Sequence, residues 1–317
     1  MSNPSATSTS DQTAQPPALE RAILETFVYA DIFDYPLTAA EVARYVAVPA
    51  TAAQVEATLA DLTAQGRLVS RNGCYALAGR DALFAIRERR ERVARRKWRA
   101  ARRYVSWLAA LPFVRMVGVT GTLAMDNVEE KDDIDVFIVT APGRLWLTRL
   151  LAIGVVRLAA LAGDELCPNY LVTERNLCFG PHTVYGAREV AQMVPVYGPE
   201  VYAAIRQKNG WVDGFLPQAG DPPNALHQHT ADGAAYIRPG VLSRAAKGLG
   251  ELLLRGFVGE ALERWEMERK VTRFQQRAQT SGGSVAFSAD ACKGHFDRHD
   301  QAILALFNER LERYGLS

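Results

Sequence analysis

The sequence predicts an α+β protein in three parts: an N-terminal unit of three helices and a hairpin, a central α/β core, and a helical C-terminal region. Three observations predict it. Residues 19–66 carry apolar positions at helical spacing and lead into two short strand signals around Asn72-Gly73. Residues 114–139 hold two hydrophobic runs of strand length separated by a short helical stretch. Residues 186–216 and 240–278 show helical periodicity, divided by a Pro/Gly/His-rich loop.

In the first part, Ile23, Leu24, Phe27 and Val28 mark a helix over 19–30. Thr38 and Glu41 form a capping-box pair that starts a second helix, and Thr51 starts a third through Val55, Leu59 and Leu62, ended by Gly66. Residues 67–70 and 74–77 then flank the Asn72-Gly73 turn. Three helices followed by a hairpin is the layout of a winged helix-turn-helix over 19–80. The third helix holds no Lys or Arg and carries Glu56 and Asp61, so DNA binding through it is not favoured.

A long helix links this unit to the core over 81–111. Arg89, Arg92, Arg96, Arg99 and Arg103 recur at three- and four-residue steps, which sets them on one stripe. That stripe suits either a solvated face or an anionic partner.

The chain has 317 residues, enough for about two domains. With 48% hydrophobic and 23% charged residues it can bury a real core, and a net charge of +2 names no polyanionic partner. Cys74, Cys167, Cys178 and Cys292 show neither CxxC nor disulfide-like spacing, which predicts reduced thiols and a cytoplasmic setting. Residues 1–18 read as a disordered tail without the marks of a signal peptide. The apolar run 145–162 is short and broken by Arg149 and Arg157, so a buried helix is expected and no transmembrane segment.

The chemistry sits in 114–139, within a core expected over 112–180. A glycine followed by a hydroxyl residue, Gly121-Thr122, lets backbone and side-chain donors approach a phosphate closely. Asp133 and Asp135 are two apart in a strand, so their carboxylates share a face and can hold Mg²⁺ with substrate phosphates. Two such ions suit phosphoryl or nucleotidyl transfer.

Taken together, Gly121-Thr122, the spacer and Asp133-Ile134-Asp135-Val136 resemble the motif of the DNA polymerase β-like nucleotidyltransferase superfamily. That motif is Gly-Ser or Gly-Gly, a spacer of about ten residues, then Asp-h-Asp-h with h apolar. Thr122 replaces the usual Ser and keeps its hydroxyl. The wider layout is similar to uncharacterised bacterial nucleotidyltransferase-domain proteins, through stretches such as Asp31–Thr38, Gly143–Trp146 and Cys167–Tyr170. The resemblance implies a Mg²⁺-dependent enzyme, with two ions, that moves an NMP group from an NTP to a hydroxyl. The acceptor stays open between small molecule, protein and nucleic acid.

The same resemblance implies a third carboxylate on a later strand. Asn169 stands best for that role and can ligate but not act as a base; Glu174 is the alternative on the opposite strand face. Arg144 and Arg149 are candidates for the nucleotide's phosphates. Lys293 or His295 is a candidate to fold over the site, whereas His227 with His229, and His295 with His299, lack a third zinc ligand. The alternative function is a winged-helix regulatory protein whose core binds nucleotide without turning it over. The C-terminal region, 181–317, is expected to be helical.

Overall fold

The computed structural model describes residues 16–220, 236–281, 288–293 and 299–316. The expected tail up to residue 15, His227, His229 and His295 lie outside the described residues.

The chain is mixed α and β with two sheets. Helix α1 (Pro16–Asp31) is followed by a two-residue strand β1 (Leu37–Thr38), α2 (Ala39–Tyr45) and α3 (Ala52–Ala64). Both short helices start where the sequence says. Thr38 accepts from the Glu41 backbone N–H while Glu41 caps Thr38 in return, and Thr51 and Gln54 do the same. Strands β2 (Leu68–Arg71) and β3 (Cys74–Leu77) form the hairpin, with Asn72 and Gly73 at φ +51° and +76°. Two successive positive φ values are what a two-residue turn of this twist needs. β1 adds to β3, giving the antiparallel order β1-β3-β2. Ile23, Phe27, Val42, Leu59 and Leu68 close the core of this unit.

Helix α4 (Ala82–Ala109) then crosses to the second sheet. Its strands are β4 (Val114–Val119), β5 (Ile134–Thr140), β6 (Leu166–Thr173), β7 (Val194–Tyr197) and β8 (Ala291–Lys293), in the order β7-β4-β5-β6-β8. A short α5 (Gly121–Ala124) joins β4 to β5, which run antiparallel. β5 and β6 are parallel, and α6 (Leu145–Leu161) makes the crossover that parallel pairing requires. Strand alternation divides β5 cleanly. Ile134, Val136 and Ile138 pack with Trp98, Tyr104 and Trp146 beneath α4 and α6, while Phe137 and Val139 join a second cluster on the other face.

The helical expectation for 181–317 fails at both sheet edges. After α7 (Val184–Gln192), the residues Val194–Tyr197 turn into β7 before α8 (Pro199–Lys208). Pro195 is tolerated because β7 pairs only with β4. Ala291–Lys293 forms β8, antiparallel to β6. Among the described residues a 3-10 turn (Gly210–Gly214) follows α8, and then come the α-helices α9 (Val241–Leu254), α10 (Phe257–Ser281) and α11 (His299–Arg313). α10 packs on α6, and its buried Glu263 accepts the Trp146 and Leu147 backbone N–H groups at 3.0 and 2.7 Å. A carboxylate from another helix thereby caps α6, whose own N-cap residue Arg144 makes no side-chain cap. α11 returns to the N-terminal unit, where Leu311 and Leu316 join its core and Arg310 pairs with Asp31. Among the described residues no helix is long and apolar enough to cross a membrane.

The basic helix divides its arginines. Arg87 is buried between Glu41 and Glu91, Arg90 meets Glu129, Arg96 meets Glu130, and Arg103 meets Asp164. Arg92, Arg95 and Arg99 face outward. Much of the one-signed stripe is therefore balanced by acids distant in sequence, chiefly the loop around 129–132.

Candidate active site

A cavity of about 530 Å³ opens where the N-terminal unit, the five-stranded sheet and α7 meet. Its walls come from both ends of the chain. Tyr29 and Tyr35 belong to the N-terminal unit, Gly121, Thr122 and Asp135 to the β4–β5 end of the sheet, and Lys293 to β8.

Asp135 pairs in register with Cys167 on the neighbouring parallel strand. Ligand atoms of Asp133, Asp135 and Cys167 all lie within 4.8 Å of one another. Asp135 Oδ1 is buried and has no hydrogen-bond partner. Burial, then the charges of Asp133 and Glu189, push the Asp135 carboxyl up from 3.8 to about 7. Burial and the two aspartates likewise push the Cys167 thiol up to about 12. Two half-buried carboxylates this close repel one another, and with Cys167 beside them they form a donor set that could hold a divalent ion.

Gly121 shows why the motif holds a glycine. Its φ is +65°, and a Cβ there would stand 2.4 Å from Asp135 Oδ2. Any side chain would meet the aspartate it must leave in place. Gly121 and Thr122 are both exposed and line the cavity, so phosphate oxygens can reach them.

Asn169 also lines the cavity, at an irregularity in the strand: Val136 pairs with Pro168 and Phe137 with Tyr170, which leaves Asn169 as the extra residue. Glu174 lies elsewhere. It follows Thr173, which pairs with Thr140 at the far end of β5, and it faces Arg115 at 3.8 Å. Arg144 and Arg149 are placed away from the site as well. A strand rise of about 3.3 Å per residue sets Thr140 roughly 16 Å beyond Asp135, and both arginines follow it. Arg144 bonds the Arg255 carbonyl at 2.5 Å and lies over the Phe113 ring, while Arg149 faces buried Glu266 at 3.5 Å. Neither lines the cavity, so the structure gives them to the α6–α10 contact rather than to a phosphate. Lys293 does line it.

Three participants carry no local sequence signal. Cys167 joins the aspartates only through the strand register. Glu189 and Arg188, on α7, reach the cavity by packing. Glu189 has ample accessible surface yet protein encloses it closely; both hold because its carboxylate opens into the cavity. Burial raises that carboxyl, with Lys293 opposing. Tyr185 is raised by burial and then by Glu189.

No protein-family model, curated protein or solved structure matches the chain. The site's own geometry must carry the functional argument.

Proposed function

We propose that the protein is a divalent-metal-dependent nucleotidyltransferase that moves an NMP group from an NTP to an acceptor hydroxyl. In this reading residues 19–80 are a winged helix and the five-stranded sheet is a polymerase β-type core. The observation that carries it is the convergence of Asp133, Asp135 and Gly121 at one end of β4 and β5, beside an enclosed cavity.

The donor set suits the ion: two carboxylates offer hard oxygens, and Asp135 Oδ1 lacks any other partner. Asp133 and Asp135 would hold Mg²⁺, with Cys167 beside them. When bound, the ion supplies charge neutralisation of the triphosphate. Gly121 lets the backbone approach a phosphate, and the Thr122 hydroxyl can donate to it. Phe137 and Tyr170 furnish an aromatic wall for a base and exclude water. In the transfer, the acceptor oxygen bonds the α-phosphorus, the α–β bridging P–O bond breaks, and pyrophosphate leaves with that electron pair. The acceptor proton needs a base. Glu189 is our candidate, since neither Cys167 nor Asn169 offers a carboxylate.

That lack of a carboxylate on β6 favours a second reading, a regulatory protein that binds nucleotide without turnover. DNA reading by α3 gains no support, because its exposed face carries Glu56 and Asp61 and no cation.

The test is calorimetric titration with each NTP, in Mg²⁺ and in EDTA, beside an Asp133→Ala/Asp135→Ala variant. Micromolar, Mg²⁺-dependent binding that the variant loses is expected. Wild-type protein that binds no NTP would sink both readings. Binding without pyrophosphate release across a panel of hydroxyl acceptors would select the second.

A further inference from the structure

Arg188 is a buried cation with no acid to balance it. It is 4% exposed, and among the described residues no carboxylate pairs with it. Its guanidinium lies between two rings, 4.5 Å from the Tyr29 centroid and 4.7 Å from that of Tyr45. Among the described residues its hydrogen bond runs from Nη2 to the Tyr45 carbonyl at 3.4 Å, a long one, and Nε is buried without a partner. Burial alone dominates the charge's environment and pushes its pKa below the usual arginine value.

Arginine carries five N–H donors in a planar fork. Both tyrosine rings stack against the guanidinium, and neither supplies a carboxylate. A stacked guanidinium whose buried Nε lacks a partner has donor capacity left for an oxygen of a phosphate or carboxylate. Cation–π contacts offset part of the desolvation of a buried charge, but an unpaired buried ion still calls for a counter-ion. Arg188 lines the cavity, so a ligand there can supply one. Asp135 and Gly121 line the same cavity and are assigned above to metal and triphosphate.

We propose that Arg188 anchors an anionic oxygen group, phosphate or carboxylate, carried by the acceptor that enters this cavity. The inference deepens the nucleotidyltransferase reading by giving its acceptor a charge, but the anion site itself requires no metal.

The test uses the full chain in EDTA, titrated by calorimetry with inorganic phosphate and separately with acetate. Wild type, Arg188→Lys, Arg188→Met and Asp133→Asn/Asp135→Asn are compared. Saturable binding of at least one anion is expected in the wild type and in the aspartate variant. It should be weakened roughly thirtyfold or more in Arg188→Met, as for truncation of one half of a buried charge pair. Stronger binding of phosphate or of acetate identifies which group the acceptor carries. Because Arg188→Met could unfold, the arginine Nε–H signals of the wild type are followed by NMR in parallel. A signal that is absent from Arg188→Lys and shifts on anion addition supports the site. An unshifted signal, no anion binding to the wild type, or undiminished binding to folded Arg188→Met would overturn it. Loss of NTP binding with the anion site intact would instead count only against the nucleotidyltransferase reading.

Discussion

The charges of α4 and those of the cavity wall are treated in opposite ways. Along α4, Arg87, Arg90, Arg96 and Arg103 each meet an acid from elsewhere in the chain. At the cavity, Asp135 and Glu189, with Asp133 beside them, form no salt bridge among the described residues, and Arg188 forms none either. Paired charges hold the N-terminal unit against the core. Half-buried charges without a direct ion-pair partner cost stability, and such sites are candidates for ligand binding. A clustering of arginines in sequence is therefore a poorer guide to function than the absence of partners in space.

The largest expected effect comes from relieving the cavity. The Asp135 carboxyl is raised to about 7, so the folded chain holds this proton more tightly than the unfolded chain. The stability it contributes is fully present below about pH 4 and is lost as pH rises through about 7. Asp135→Asn should melt several degrees higher than wild type near pH 8 in EDTA, with no gain near pH 4. The ceiling is roughly 4 kcal/mol, from about three pKa units. Calorimetric melts at both pH values check it, and equal shifts at both would refute the assignment.

Breaking the other side should have the opposite sign. Arg87→Met leaves Glu41 partly buried without its cation and removes a donor to the Pro36 carbonyl. It should cost about 3 kcal/mol in urea unfolding. Gly121→Ala is smaller in stability, about 1–2 kcal/mol for a side chain at positive φ, but its Cβ displaces Asp135. Mn²⁺ binding followed by electron paramagnetic resonance should therefore weaken together with the fold. Arg96→Ala sharpens the comparison from below. Its pair with Glu130 is exposed on both sides, so unfolding should move by no more than about 0.5 kcal/mol.

Local chemistry was legible in the sequence, and long-range chemistry was not. The caps at Thr38 and Thr51, the Asn72-Gly73 turn, and strand β5 with Asp135 in it and Asp133 just before it depend on neighbours a few residues away. Arg144 and Arg149 stand near Asp135 in the chain but not in space, because a seven-residue strand carries them away. Cys167 was hidden by register: only the pairing of Asp135 with Cys167, and the extra residue at Asn169, decide which β6 side chain stands nearest. β7 is four residues long between two helices, too brief to break a helical pattern. The aromatic wall from Tyr29 and Tyr35 required knowing that the N-terminal unit packs across the sheet end.

That wall has a consequence for synthesis. The cavity takes Tyr29 from α1 and Lys293 from β8, so it is not complete until both segments have been made. A growing chain that has already folded β4 to β6 owns its aspartates but not the chamber around them. A chain that stops short of β8 lacks Lys293 in that chamber.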